Sequence, residues 1–208
     1  MEQLEIEYYK KQVDYDAALS LVVTRVNSLL AMKNRDGGEI PCTISSRPKS
    51  FDSALEKAVR KTTKKPEEIT LEDIFENEND IAGVRICCLF RHHITELEKA
   101  IKRLPGITIT KTKDYLKTPK PNGYSSLHII VMVEISTDEG TELIPVEIQL
   151  RTKAQDLWAE LEHYLYKAKK GFFPEEFKSL FKQIAKQLIK IDDLGEKIFE
   201  LINQNPAD

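Results

Sequence analysis

The 208-residue sequence predicts an α+β fold: a mixed sheet of about five strands flanked by helices, with a long helix at each end. Three observations carry this expectation. Apolar residues recur at helical spacing over 3–32 and again over 175–203. Apolar, β-branched runs of strand length fill the middle of the chain. A helical segment lies between the first two of those runs.

Taken in order, the first helix is marked by Leu4, Tyr8, Val13, Ala17, Leu21, Val22, Val26, Leu29 and Leu30, and it stops before the breaker NRDGG at 34–38. CTISSRPKS, 42–50, reads as a short extended piece. Ser50 is placed to cap a helix over 51–63. Residues 64–79 read as a loop with one helical turn near 71–75. Strands are expected at 83–90, 107–115, 125–135 and 143–150, with a helix at 94–104 closed by Pro105-Gly106. DEGTE, 138–142, is short enough to make an antiparallel hairpin of the last two strands. Helices return at 154–169 and, beyond GFFP, at 175–203. This is one domain over 1–208, with an N-terminal helix at 3–32, a core at 40–168 and a C-terminal extension at 174–203. One small sheet cannot cover both terminal helices along their length, so part of their apolar surface is expected to meet another subunit.

A formal charge of −3 gives no global basic signature, which argues against a protein that coats nucleic acid by bulk charge. Local contrast is strong. Seven Lys/Arg lie between Arg47 and Lys65, and the fifteen residues 66–80 then carry seven acids and no Lys or Arg. Such a pair of segments suits a polyanion site with a metal nearby, and also an ordinary solvated surface. Cys42, Cys87 and Cys88 have no CxxC partner and read as reduced thiols of a cytoplasmic protein. The N-terminus lacks an apolar signal core, and no apolar run is long enough to span a membrane.

The stretch PKPNGYSSLHII, 119–130, places a turn, Tyr124 and His128 just ahead of a strand, with Lys117 and Lys120 in front. A hairpin alone needs only the Asn-Gly. Asp80 precedes another strand, where a helix cap or turn residue would also explain it. In PVEIQLRT, Glu147, Gln149 and Arg151 alternate with Val146, Ile148 and Leu150, so the three polar groups share one strand face, as they would on a solvated one. Two acids at neighbouring strand ends can hold Mg²⁺, while Gln149 and Arg151 address a phosphate or base. The four histidines lack zinc-site spacing, and GxxxxGK[ST], GxGxxG and GxSxG are all missing. The residues point to a Mg²⁺-dependent nucleotide site without naming the reaction.

Three separated stretches, DIAGVRICCLF, KDYLKTPKPNGYSSLHIIV and VEIQLRTKAQDLWAELEHYLYK, closely resemble the synthetase domain of the RelA/SpoT family in order and spacing. The resemblance covers about 47–167 and implies a small alarmone synthetase, without the HD hydrolase and regulatory domains of long members. It implies a nucleotidyltransferase-like sheet and transfer of pyrophosphate from ATP to the 3′-hydroxyl of GDP or GTP, releasing AMP. By the same resemblance Asp80 is the Mg²⁺-binding aspartate, and Glu147 is the metal partner or general base at the acceptor hydroxyl. Arg47, Lys49, Lys57, Arg60, Lys61 and Arg85 fall on the ATP side. Tyr124 is the plate that stacks on guanine. Lys113, Lys117, Lys120, Asn122, His128 and Gln149 complete the GDP/GTP side. Ser125 departs from the Arg that many small members carry there. The resemblance also implies a homotetramer, and leaves open regulation by a product nucleotide or single-stranded RNA. Two other readings compete: a toxic synthetase modifying adenosine nucleotides or the tRNA 3′ end, marked by a large basic surface beyond the cleft, and a non-catalytic nucleotide- or RNA-binding protein, marked by loss of Asp80 or Glu147.

Overall fold

The computed structural model of the protein describes residues 1–76, 79–137, 140–168 and 174–204. Its elements run α1 (Glu2–Arg35), β1 (Cys42–Pro48), α2 (Phe51–Thr62), α3 (Leu71–Phe75), β2 (Ala82–Cys88), α4 (Arg91–Ile101), β3 (Ile107–Asp114), β4 (Leu127–Thr137), β5 (Gly140–Thr152), α5 (Lys153–Ala168) and α6 (Glu175–Gln204). The strands form one sheet in the order β1-β2-β5-β4-β3, with β2 and β5 parallel and every other pair antiparallel. The sheet is therefore mixed, as the sequence predicts.

Two differences from the expected elements have plain causes. The extended piece at 42–50 is a paired edge strand whose outward polar groups, Thr43, Ser45, Ser46 and Arg47, hide its pairing from a hydrophobic pattern. β5 is longer than 143–150, because its hairpin with β4 continues out to the pair Thr137–Gly140. The tip of the expected DEGTE loop, Lys169 at the end of the expected α5, and most of GFFP lie outside the described residues.

Period two sorts the sheet into two faces. Val84, Ile86, Ile129, Val131, Ile148 and Leu150 are all essentially buried and pack beneath α1 and α4 in one core. α1 contributes Ala18, Leu19, Val22 and Val26, while α4 contributes Ile94, Leu97 and Ile101. The opposite face carries the polar residues and stays partly open. α5 leaves β5 directly and turns back along α6, where Trp158, Phe181 and Ala185 make a second, smaller apolar cluster. The indole of Trp158 donates to the Phe181 carbonyl at 2.9 Å, so the one buried tryptophan wastes no donor.

α1 does more than cover the sheet. The Tyr8 hydroxyl (2.7 Å) and the Gln12 amide (3.1 Å) both donate to the carbonyl of Lys49, and the Lys49 amide donates to the Ile81 carbonyl at 2.9 Å. The chain is thereby fixed where β1 passes into α2. Ser50 caps α2 as expected, its hydroxyl accepting from the Ser53 amide. In the acidic segment, Glu68 and Asp73 serve as local caps, and Lys64 binds Asp73 at 2.7 Å.

Candidate active site

Sheet register assembles the site. Ser45, Arg85, Gln149, His128 and Lys113 are direct partners across all five strands, and Arg47, Gly83, Glu147 and Ile130 form the neighbouring rung. Residues far apart in sequence thus stand abreast on one face, spaced by the strand-to-strand distance of about 4.8 Å. Gly83 has to be small. A Cβ there would come within 3.2 Å of the Arg47 carbonyl, closing the gap between β1 and β2.

Above the rungs lies a cavity of about 210 Å³ lined by Arg47, Lys49, Ser50, Ser53, Asp80, Arg85, Glu147, Gln149 and His163. Asp80 comes from the loop before β2, and its Oδ1 receives the ammonium groups of Lys49 at 2.9 Å and Lys57 at 2.7 Å. The N-terminus of α2 also faces this space through Ser50 and Ser53, adding oriented amides to a basic wall. A second, larger chamber of about 840 Å³ shares Arg47, Arg85, Gln149 and His163 with the first and extends to Tyr124, Arg151, Ala159, Glu160, Glu162 and Tyr164. Two adjoining spaces, one with a basic wall and one lined by α5, thus open off the same face of the sheet.

Glu147 is 6% exposed, and each of its carboxylate oxygens has one partner in the protein. His128 Nδ1 lies 2.9 Å from its Oε1, and the Gln149 amide donates to its Oε2 at 2.6 Å. Arg151 in turn donates to Gln149 Oε1 at 2.9 Å. Burial pushes the Glu147 carboxyl upward, and so does the charge of Asp80 across the cavity. The His128 contact and the Gln149 hydrogen bond outweigh both, leaving it a carboxylate below its usual range. Arg85 is held by Asp156 (3.3 Å) and Glu160 (3.6 Å) of α5, and Arg151 also meets Asp156 at 3.4 Å. The Nε of Arg85 and the Nη1 of Arg151 are buried without a hydrogen-bond partner in the protein, two unmet donors among residues lining the chamber.

The turn before β4 is built for Tyr124. Gly123 donates to the Lys120 carbonyl at 2.8 Å and Lys120 donates to the Tyr124 carbonyl at 3.0 Å, so Pro121 and Asn122 form the bend and Gly123 follows it at φ +98°. Only the glycine, and not Asn122, supplies the positive angle. A Cβ on Gly123 would also strike Ala185 at 2.8 Å. The Asn122 side chain accepts from the Tyr124 amide at 3.1 Å. Tyr124 meets Trp158 and Tyr115 edge-on, and the Lys120 ammonium lies 4.8 Å from its ring centroid. Its hydroxyl reaches His128 Nε2 at 2.8 Å.

The expected residues are not all brought together. Arg47, Lys49, Asp80, Arg85, Glu147 and Gln149 line the first cavity, and Tyr124 lines the second. Lys57 and His128 touch the two acids, and Lys113 stands beside His128. Arg60 and Lys61 are exposed on the last turn of α2, outside either space. Lys117 pairs with Asp114 at 3.2 Å and faces a separate cavity below the turn. Ser125 faces that same side, donating to the Tyr115 carbonyl at 3.1 Å. Sequence reasoning missed the contribution of α5. Glu162, its carboxyl pushed up by burial against the pull of Lys120 and Asn122, and His163 line the chamber because this helix crosses it.

The donor set fits Mg²⁺. Asp80 and Glu147 present hard oxygen ligands to one cavity, and among the described residues no group of three or more His, Cys, Asp or Glu could hold a metal. Two protein carboxylates leave the remaining ligand positions to phosphate and water, the usual arrangement for Mg²⁺ at a nucleotide. No helix among the described residues is long and apolar enough to cross a membrane.

Comparison with known proteins gives a consistent picture. Residues 46–171 match the model for the region found in RelA / SpoT proteins. The chain is 36% identical over 180 residues to GTP pyrophosphokinase YwaC of Bacillus subtilis (strain 168), covering 86% of this chain and 84% of that protein. It is 33% identical over 150 residues to GTP pyrophosphokinase YjbM of the same strain, covering 72% and 68%. Among solved structures, small alarmone synthetase 1 from Bacillus subtilis bound to its product pppGpp superposes with a TM-score of 0.82 at 26% identity, over 97% of this chain and 99% of that one. Small alarmone synthetase 2 from the same organism superposes with a TM-score of 0.77 at 33% identity, over 92% and 97%.

Proposed function

Since this chain belongs to the RelA/SpoT family, we propose that it is a (p)ppGpp synthetase, transferring pyrophosphate from ATP to the 3′-hydroxyl of GDP or GTP and releasing AMP. The observation that carries the reading is the pair of acids, Asp80 and Glu147, facing one basic cavity that opens into a chamber holding Tyr124. ATP belongs in the first space. Arg47, Lys49, Lys57 and the N-terminus of α2 meet its phosphates, with Arg47 and Arg85 against adenine. The acceptor belongs in the second, its base on the Tyr124 ring and its 5′-phosphates toward Lys113 and Lys120.

In the reaction the acceptor 3′-oxygen attacks the β-phosphorus of ATP, and the bond to the α-phosphate oxygen breaks. Glu147 orients that hydroxyl and takes its proton, which a carboxylate below its usual range does late in the step, as the new bond forms. Mg²⁺ held by Asp80 and Glu147 would neutralise charge on the transferring phosphates.

A homotetramer in the cytoplasm completes the proposal. The apolar surface left on α6, where Leu194, Ile198 and Leu201 are exposed, and on α1, where Tyr9 and Val13 are exposed, supports self-association. The formal net charge of −3 argues against tRNA as acceptor. The test is an assay with terminally labelled ATP offering GDP, GTP, ATP and tRNA in parallel. Label should enter GDP or GTP. Label entering only ATP or tRNA would replace this reading with the toxic-synthetase one, and no transfer to any acceptor would favour a non-catalytic binder.

A further inference from the structure

We infer that the Tyr124 hydroxyl and the His128 imidazole act together as positioning groups for Glu147, so that the ring and the hydroxyl of Tyr124 do separate jobs. The inference rests on the synthetase reading and deepens it. The contacts form a single line: Tyr124 Oη to His128 Nε2 at 2.8 Å, then His128 Nδ1 to Glu147 Oε1 at 2.9 Å. An ionised carboxylate cannot donate, so Nδ1 carries the ring proton and donates to Glu147. In a neutral ring Nε2 is then bare and accepts from the tyrosine hydroxyl. The opposite tautomer would set a lone pair against the carboxylate.

His128 is 8% exposed and Glu147 6%, so bulk water competes little for this contact. The two sit on different strands, one rung apart, since His128 pairs with Gln149 and Glu147 with Ile130. Gln149 holds the other oxygen of Glu147 at 2.6 Å. Each carboxylate oxygen therefore has one hydrogen bond from the protein and one lone pair left for the reaction. Removing the Tyr124 hydroxyl frees the imidazole to rotate and loosens one of the two clamps. It does so without touching the ring that faces the acceptor base.

The test is a double-mutant cycle on turnover with GTP as acceptor, using Tyr124→Phe and His128→Asn. Asparagine keeps an N–H near the position of Nδ1 and removes the acceptor of the tyrosine hydroxyl. Tyr124→Phe alone should lower kcat about 3- to 10-fold, the scale of one buried hydrogen bond, with acceptor KM within about twofold of wild type. On the His128→Asn background the same change should alter kcat by less than about 1.5-fold. Equal losses in both backgrounds, or a raised acceptor KM with kcat untouched, would overturn the inference. Imidazole ¹⁵N shifts of His128 in the unsubstituted protein give a second readout that depends on no variant folding. A protonated Nδ1 with a bare Nε2 is expected, and the reverse tautomer overturns it. An unsubstituted protein that makes no (p)ppGpp from ATP and GTP sinks the synthetase reading itself, whereas an active one with additive losses sinks only the positioning role.

Discussion

Asp80 and Glu147 face the same cavity, yet their side chains are 32% and 8% exposed and their partners differ in kind. Asp80 is held by two lysine ammonium groups at the edge of solvent. Glu147 is held by an imidazole and an amide inside the sheet. On the proposed reading, incoming phosphates draw Lys49 and Lys57 away from Asp80 and leave the aspartate to a cation. A buried hydrogen-bonded network is preorganised and does not have to rearrange when substrate arrives. On the proposed reading, the donor half of the cleft trades partners and the acceptor half keeps them.

The sharpest break in that contrast is Asp80→Asn. On the proposed reading it removes an ionic oxygen ligand, and turnover should fall to background at saturating Mg²⁺ while the melting temperature stays put. Activity within about tenfold of wild type would remove Asp80 from the metal site. Next comes Glu147→Gln, which keeps shape and loses the base. It should lower kcat about 10²-fold or more, with both nucleotides still bound in calorimetry. A collapse of ATP affinity with normal residual kcat would make Glu147 a binding residue instead.

A smaller effect separates the stacking plate from the core. Tyr124→Ala should raise acceptor KM about 5- to 150-fold, the range expected for losing one base stack, and leave ATP binding almost unchanged. Because the ring also meets Trp158 and Tyr115 edge-on, a modest fall in melting temperature accompanies it. Equal losses for ATP and acceptor together with a large melting drop would return Tyr124 to the core. The mildest prediction tests the exchangeable half directly. Lys57→Met removes an ammonium 2.7 Å from Asp80, so Mn²⁺ should bind the nucleotide-free protein a few-fold more tightly. Unchanged or weaker Mn²⁺ binding would mean that the lysine does not compete with the cation.

The same contrast governs what could be read from sequence. Glu147, Gln149 and Arg151 were legible because strand alternation puts them on one face whatever surrounds the strand. Tyr124 and His128 lie four apart in an extended segment, which also puts them on one face. That spacing was the available signal for their contact, and reading each only as a nucleotide ligand passed over it. β1 was less legible, since an edge strand with polar outward residues shows no apolar period. The chamber wall formed by Glu162 and His163 was not legible at all, because the way α5 crosses the cleft is set by Trp158 packing on Phe181 and Ala185. The family resemblance places Lys117 at the acceptor phosphates, whereas here its exposed side chain pairs with Asp114.

The central claim is that one basic cavity and one helix-roofed chamber bring an ATP β-phosphorus to an acceptor 3′-hydroxyl. It is tested most directly by following the adenine product and the label together, with GTP and with 3′-deoxy-GTP as acceptors. The account predicts AMP, one for each labelled pppGpp formed from GTP, and no transfer to 3′-deoxy-GTP. ADP as the adenine product, or label passing to the 3′-deoxy acceptor, would contradict it.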